Sequence, residues 1–171
     1  MLDLNAYIRD VPDFPKPGIV FKDITPLLRD PAALAQTLDA LAESFTDAGI
    51  SRVAGIESRG FIFGVPLALR MGCGFVPLRK PGKLPWTCSR REYELEYGRA
   101  ALEVHADAVD ANDRVLLVDD LLATGGTMAA GVHLIEALGA TVVGASVVIE
   151  LAFLDGREKV SCPVHALLTY A

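Results

Sequence analysis

Thirteen residues, Val115 to Thr127, constrain this chain more than any other stretch. Val115-Leu116-Leu117-Val118 is a short apolar run that favours a buried strand, and Asp119 and Asp120 mark where that strand reaches polar surroundings. A tight loop with paired glycines follows, and Thr127 is placed to cap a helix. Met128, Val132, Ile135 and Leu138 then recur at helical spacing, with Gly139 as the stop. A strand, loop and helix in this order aim backbone N–H groups and the positive end of a helix at one point. That makes an anion site, most naturally for phosphate.

Two adjacent carboxylates beside a phosphate cradle repel unless a cation or hydroxyls sit between them. A ribose diol and a divalent cation both qualify, since hard cations share oxygen ligands with substrate phosphates. The run therefore reads as a sugar-phosphate site, with phosphate on Ala123, Thr124, Gly125, Gly126 and Thr127 and ribose hydroxyls over Asp119 and Asp120. A plain βα turn would need the glycines alone. It would not call for the acidic pair and two threonines.

The run resembles the phosphoribosyl-pyrophosphate signature of the type I phosphoribosyltransferases, and its DDLLATGGT form is most similar to the adenine-using branch. Other stretches resemble that family in the same order. Val11 to Gly18 holds three prolines and cannot be helical, and Ile19 to Ile24 is rich in β-formers. DFPKPGIVFKDITP is similar to the family's N-terminal hood. The resemblance implies that residues 1–28 form that hood, with Phe14 near a purine and the backbone of Val20 and Lys22 at its edge. Core packing is the ordinary alternative for Phe14.

Asp30-Pro31 starts a helix with the stripe Leu34, Leu38, Leu41 and Phe45, closed by Gly49. Val53 to Ile56 reads as a short strand running into Glu57-Ser58-Arg59-Gly60-Phe61 and a helix to about Met71. Parallel α/β sheets collect ligands at such strand ends. ESRGF resembles the family's first pyrophosphate-contacting turn, which implies a pyrophosphate role for Arg59. Phe75 to Leu78 is the next strand. The RKxGKLP loop after it is similar to one that brings Arg79, Lys80 and Lys83 to pyrophosphate, sometimes across a dimer interface.

Trp86 to Leu102 becomes irregular and then alternates, which suggests a β-hairpin extending from the body as a flexible lid over residues 86–102. YxLEYG matches the family's catalytic loop, and only this resemblance singles out Glu96. Thr141 to Leu154, interrupted by Ser146 and Glu150, reads as a buried strand and its exit, and Val164 to Thr169 as a final edge strand. Leu151 takes the position that stacks on the purine in the family. His105, His133 and His165 stand isolated, with no catalytic role expected.

Composition sets bounds. The 171 residues fit a single domain spanning 1–171. Apolar residues make up 51%, yet no run approaches the roughly 18 needed to cross a bilayer. The N-terminus shows neither a basic nor an apolar leader region, so no signal peptide is expected. Cys73, Cys88 and Cys162 are far apart without metal-ligand spacing, which fits reduced thiols in the cytoplasm. A net charge of −6 argues against nucleic acid or an anionic membrane as partner. Ser58 to Arg91 nevertheless contains no acid, while Arg59, Arg70, Arg79, Lys80, Lys83, Arg90 and Arg91 all fall there. Such a segment suits a small polyanion.

Together these give an α/β, doubly wound, mostly parallel sheet with a small N-terminal hood. The resemblance implies conversion of adenine and 5-phospho-α-D-ribose 1-diphosphate (PRPP) to AMP and pyrophosphate. It also implies Mg²⁺ bound mainly through substrate, no metal ligands of the protein's own, and a homodimer. Asp119 and Asp120 would fix the diol and favour a cationic transition state, while Glu96 would take a proton from the purine or hold its tautomer. Two alternatives stay open, a 6-oxopurine phosphoribosyltransferase and a PRPP-sensing regulator. No added DNA-binding segment or basic surface supports the regulator.

Overall fold

The computed structural model describes residues 2–94 and 99–171. The chain divides into two compact units, Met1–Ala40 and Leu41–Ala171. In the first, β1 (Arg9–Pro12) pairs antiparallel with β2 (Val20–Asp23), matching Asp10 to Lys22 and Pro12 to Val20. The proline-rich run is the turn between them. α1 (Thr25–Arg29) follows, and α2 (Pro31–Glu43) begins as the sequence predicts. Asp30 Oδ1 accepts from the amides of Ala32 and Ala33, each at 2.9 Å, so the aspartate caps the helix.

The larger unit is built on β3 (Arg52–Ile56), α3 (Arg59–Met71), β4 (Gly74–Leu78), the hairpin β5 (Cys88–Glu94) and β6 (Arg99–His105), β7 (Arg114–Leu122), α4 (Gly126–Ala137), β8 (Thr141–Leu151) and β9 (Val164–Tyr170). Five strands form one all-parallel sheet in the order β4-β3-β7-β8-β9. Its central strands read as near-continuous apolar runs because helices cover both faces. Val115 to Val118 and Val147 to Ile149 are fully buried. The chain winds outward from β3 to β4 in one direction and from β7 to β8 to β9 in the other. The order therefore reverses between β3 and β7, where an open α/β sheet leaves a crevice at its carboxyl edge.

The two crossover helices are built differently. α3 buries one stripe, Gly60, Phe63, Gly64, Leu67 and Ala68, and leaves Ile62, Val65 and Leu69 exposed. α4 is buried nearly all round, through Met128, Ala130, Gly131, Val132, Leu134 and Ile135. It packs against β7 and β8 on one side and β5 and β6 on the other, which is why its apolar residues exceed a single stripe. The hairpin joins the sheet edge through reciprocal backbone bonds between Arg79 and Glu103, at 2.9 and 2.7 Å.

Candidate active site

At the reversal point lies a cleft of about 510 Å³. Its walls are the turn after β3 (Glu57, Ser58, Arg59), the end of β7 (Asp119 to Leu122), the loop Ala123–Gly125, the start of α4 (Gly126 to Met128), Lys80, and Tyr93 of the hairpin. The structure thus brings Arg59, Lys80, Asp119, Asp120 and the whole Ala123–Thr127 loop to one place. β7 runs on to Leu122, so both aspartates are strand residues, and their side chains point in opposite directions.

The loop owes its shape to two close approaches. Gly125 has φ 78°, a left-handed conformation that side-chain-bearing residues rarely adopt, and it is the N-cap of α4. At Gly60, in the first turn of α3, a Cβ would lie 2.7 Å from the Val118 carbonyl and 3.1 Å from Asp119 Oδ1. Only glycine lets α3 start against β7. Thr127, expected to cap α4, instead lies inside its first turn. Its hydroxyl donates to the Tyr93 hydroxyl at 3.2 Å, which ties the start of α4 to the hairpin. Gly125 takes the cap because the reversal into the helix needs the left-handed backbone.

Charge in the cleft is tightly arranged. Arg59 Nε stands 2.6 Å from Asp120 Oδ2. Asp119 Oδ1 accepts from the Asp120 amide at 2.9 Å. Burial, and then the neighbouring Asp120 charge, push the Asp119 carboxyl well above the ordinary carboxylate range. Burial raises Asp120 as well, and Arg59 works against that rise. Glu57 behaves oppositely. Burial pushes its carboxyl up, but the Lys80 amide at 3.0 Å and the Arg79 guanidinium at 3.2 Å outweigh burial and hold it below its usual value. The acid at the head of ESRG therefore fixes the base of the RKPGK loop.

Arg79 and Lys83 are not among the described residues lining the cleft. Arg79 is engaged by Glu57 and donates to the Lys83 carbonyl at 3.1 Å. Lys83 is exposed. Leu151 ends β8 and is half-buried. Glu96 lies outside the described residues. In the smaller unit Phe14 is half-exposed, edge-on to Phe21 with ring centroids 5.3 Å apart. Val20 is exposed on β2, and Lys22 Nζ pairs with Asp10 at 2.7 Å. Sequence reasoning passed over Glu57 and Tyr93. Glu57 had a signal in its place at a strand end beside Arg59, whereas the Tyr93–Thr127 contact is non-local.

An acidic pair near a strand end, a glycine loop at a helix start and arginine from the adjacent turn meet in one cleft, the arrangement of a phosphoribosyl-transferase-type α/β protein. The phosphoribosyl transferase domain family matches residues 23–163. The chain belongs to that family. Within it, the similarity runs to adenine phosphoribosyltransferases. The one from Gloeobacter violaceus is 60% identical over 158 residues, covering 92% of each chain. The crystal structure from Thermoanaerobacter pseudethanolicus superposes with TM-score 0.94 at 49% identity, covering 98% of both chains. The Saccharomyces cerevisiae enzyme, crystallised with an imino-altritol bisphosphate and adenine, gives TM-score 0.92 at 43% identity and 96% coverage of each.

Proposed function

We infer that this chain transfers the phosphoribosyl group of PRPP to adenine, giving AMP and pyrophosphate. The observation that carries the sugar-phosphate half is the cleft itself, lined together by Asp119, Asp120, Arg59 and residues Ala123–Thr127. The adenine half rests on the relatives' activity.

The 5′-phosphate sits on the loop Ala123–Thr127 at the N-terminus of α4, where backbone N–H groups and the helix dipole favour an anion. That remote grip positions the anomeric carbon. Asp119 and Asp120 accept from the ribose hydroxyls and favour the positive charge that develops on the ring as the C–O bond to pyrophosphate breaks. Arg59 and Lys80, with Arg79 and Lys83 from the following loop, stabilise the charge that gathers on pyrophosphate. Adenine recognition falls to Phe14, the backbone of Val20 and Lys22, and Leu151. Val20 and Lys22 are two apart on one strand, so their backbone groups face the same edge. Residues 1–28 are the hood of a single phosphoribosyltransferase domain. Glu96, in the 86–102 lid, takes the purine proton or holds the reactive tautomer.

Mg²⁺ enters this site as a substrate-borne ion. Among the described residues no group of three or more His, Cys, Asp or Glu could hold a metal. The two cleft carboxylates offer hard oxygen atoms beside the phosphate oxygens that would carry most of the coordination. When bound, the ion neutralises pyrophosphate charge. The working form is a homodimer in the cytoplasm. Ile62, Val65 and Leu69, one exposed stripe on α3 with Leu69 at 77% exposure, offer an apolar face for the second copy. Sedimentation of Leu69→Asp tests that face.

The deciding assay supplies labelled adenine, hypoxanthine and guanine separately with PRPP and Mg²⁺ and counts nucleotide. Adenine presents an N6 donor and an N1 acceptor, and hypoxanthine the reverse pattern. A pocket built for one leaves buried polar groups unpaired with the other, at a cost of about 10⁴-fold in kcat/KM. Turnover of hypoxanthine within about tenfold of adenine, a gap of about 1.4 kcal/mol, would move the assignment to a 6-oxopurine enzyme.

A further inference from the structure

Glu150 is a buried carboxylate, 6% exposed, near the end of a mostly apolar strand. It lies opposite Leu122, the last residue of β7 before the phosphate loop. A lone charge in such a place is costly unless it is fully paired. Arg157 supplies the pair in a two-pronged geometry. Its Nε donates to Glu150 Oε1 at 2.9 Å and its Nη2 to Oε2, while Nη1 reaches the Val164 carbonyl at the head of β9. One guanidinium thus joins the end of β8, the start of β9 and the turn between them.

That turn presses on the phosphate loop. A Cβ on Gly156, the residue before Arg157, would collide with the Ala123 carbonyl and come within 2.8 Å of the Gly125 nitrogen. A Cβ on Gly125 would in turn collide with the Gly156 carbonyl. Two backbones meet with no side chain between them, at the very loop that lines the cleft.

We propose that Arg157 and Glu150 are positioning residues for phosphate binding: their ion pair holds Gly156 against Ala123–Gly125 and so fixes the aim of the loop amides. The proposal rests on the reading of that loop as the 5′-phosphate site. Neither residue touches substrate. They act through Gly156, and displacement of a binding group by about an ångström is enough to cost about 100-fold.

Ribose 5-phosphate is the probe, because it occupies the loop without involving the base. Calorimetry on the full chain, well below each variant's Tm, should show its affinity falling about 10- to 100-fold in Arg157→Met. Gly156→Ala should show a comparable loss while keeping the ion pair. A purely structural pair would lower Tm in Arg157→Met and leave affinity unchanged in the folded protein. Wild-type-like affinity in folded Arg157→Met would overturn the proposal, whatever Gly156→Ala shows. If Arg157→Met does not fold, Gly156→Ala together with Glu150→Gln, which keeps the shape and removes the charge, decides the matter on the same readout. Failure of the unsubstituted chain to bind ribose 5-phosphate would instead remove the loop reading beneath it.

Discussion

Arg59 Nε and Asp120 Oδ2 lie 2.6 Å apart, joining the turn after β3 to the end of β7 across the point where the sheet order reverses. The pair ties a residue assigned to pyrophosphate to one assigned to ribose, and it carries a pH consequence. Burial raises Asp120, and Arg59 counteracts the rise. Without the guanidinium the carboxyl should climb further. Binding a ribose diol needs the ionised form, so ribose 5-phosphate affinity in Arg59→Met should begin to fall at a higher pH than in the unsubstituted protein. Calorimetric titrations from pH 5 to 8 measure this, and coincident pH profiles would separate the pair from ribose binding.

Asp119 offers a test of stability against function. Burial and then Asp120 raise its carboxyl. A carboxyl raised in the fold contributes stability that is fully present below its unfolded value near 4 and is lost as pH rises through the folded value. Above its folded value the ionised group therefore costs stability. Asp119→Asn, which keeps the Oδ1 acceptor for the Asp120 amide, should raise Tm at pH 7.5. The rise should be about 2–4 °C per kcal/mol relieved in a chain of this size. The advantage should shrink as pH falls toward 4, while ribose 5-phosphate affinity drops throughout. Scanning calorimetry at pH 7.5 and 4.5 checks the sign. An equal or lower Tm at pH 7.5 would contradict it.

Periodicity and turn chemistry made most of this architecture legible. Val115–Val118, the Asp30 cap and the strand end at Ile56 are local features, and the sheet follows from their alternation with helices. The cleft-lining loop Ala123–Thr127 was legible because its residues are contiguous. What escaped was non-local or conformational. A Gly-Gly pair does not say which glycine must be left-handed, and a threonine before an apolar stripe looks like a cap until its hydroxyl is seen to donate to Tyr93 of the hairpin. Glu150 read as an interruption in an apolar run, and Ser146 likewise, although each is buried on a defined partner: Ser146 Oγ donates to the Leu41 carbonyl at 3.2 Å. Arg157 could not be matched to Glu150 from spacing alone.

The paired glycines should separate on substitution. Gly125→Val forces a β-branched residue into φ 78° and drives its Cβ into the Gly156 carbonyl. The left-handed backbone alone costs about 1–2 kcal/mol, so stability and ribose 5-phosphate affinity should fall together. Gly126 begins α4 and lines the cleft. Gly126→Val should therefore abolish binding with a smaller change in Tm. Paired melting and calorimetry experiments distinguish the two, and undiminished affinity in Gly126→Val would take this loop out of the site.

Glu96 is the residue on which chemistry, rather than binding, should turn. Tyr93, three positions earlier in the sequence, lines the cleft and accepts from Thr127 of the Ala123–Thr127 loop. A carboxylate carried by that segment can serve the purine without holding the sugar. Glu96→Gln keeps the size and loses the proton acceptor. Its kcat for AMP formation should fall about 10²–10⁴-fold, as expected for removal of a general base. Ribose 5-phosphate affinity should stay within about twofold of the unsubstituted protein, because no phosphate or diol contact is assigned to Glu96. Steady-state rates, set beside calorimetry on the same preparations, measure both. Near-normal turnover would reduce Glu96 to a lid residue and move the search for the base to the nearby carboxylates Glu92 and Glu94.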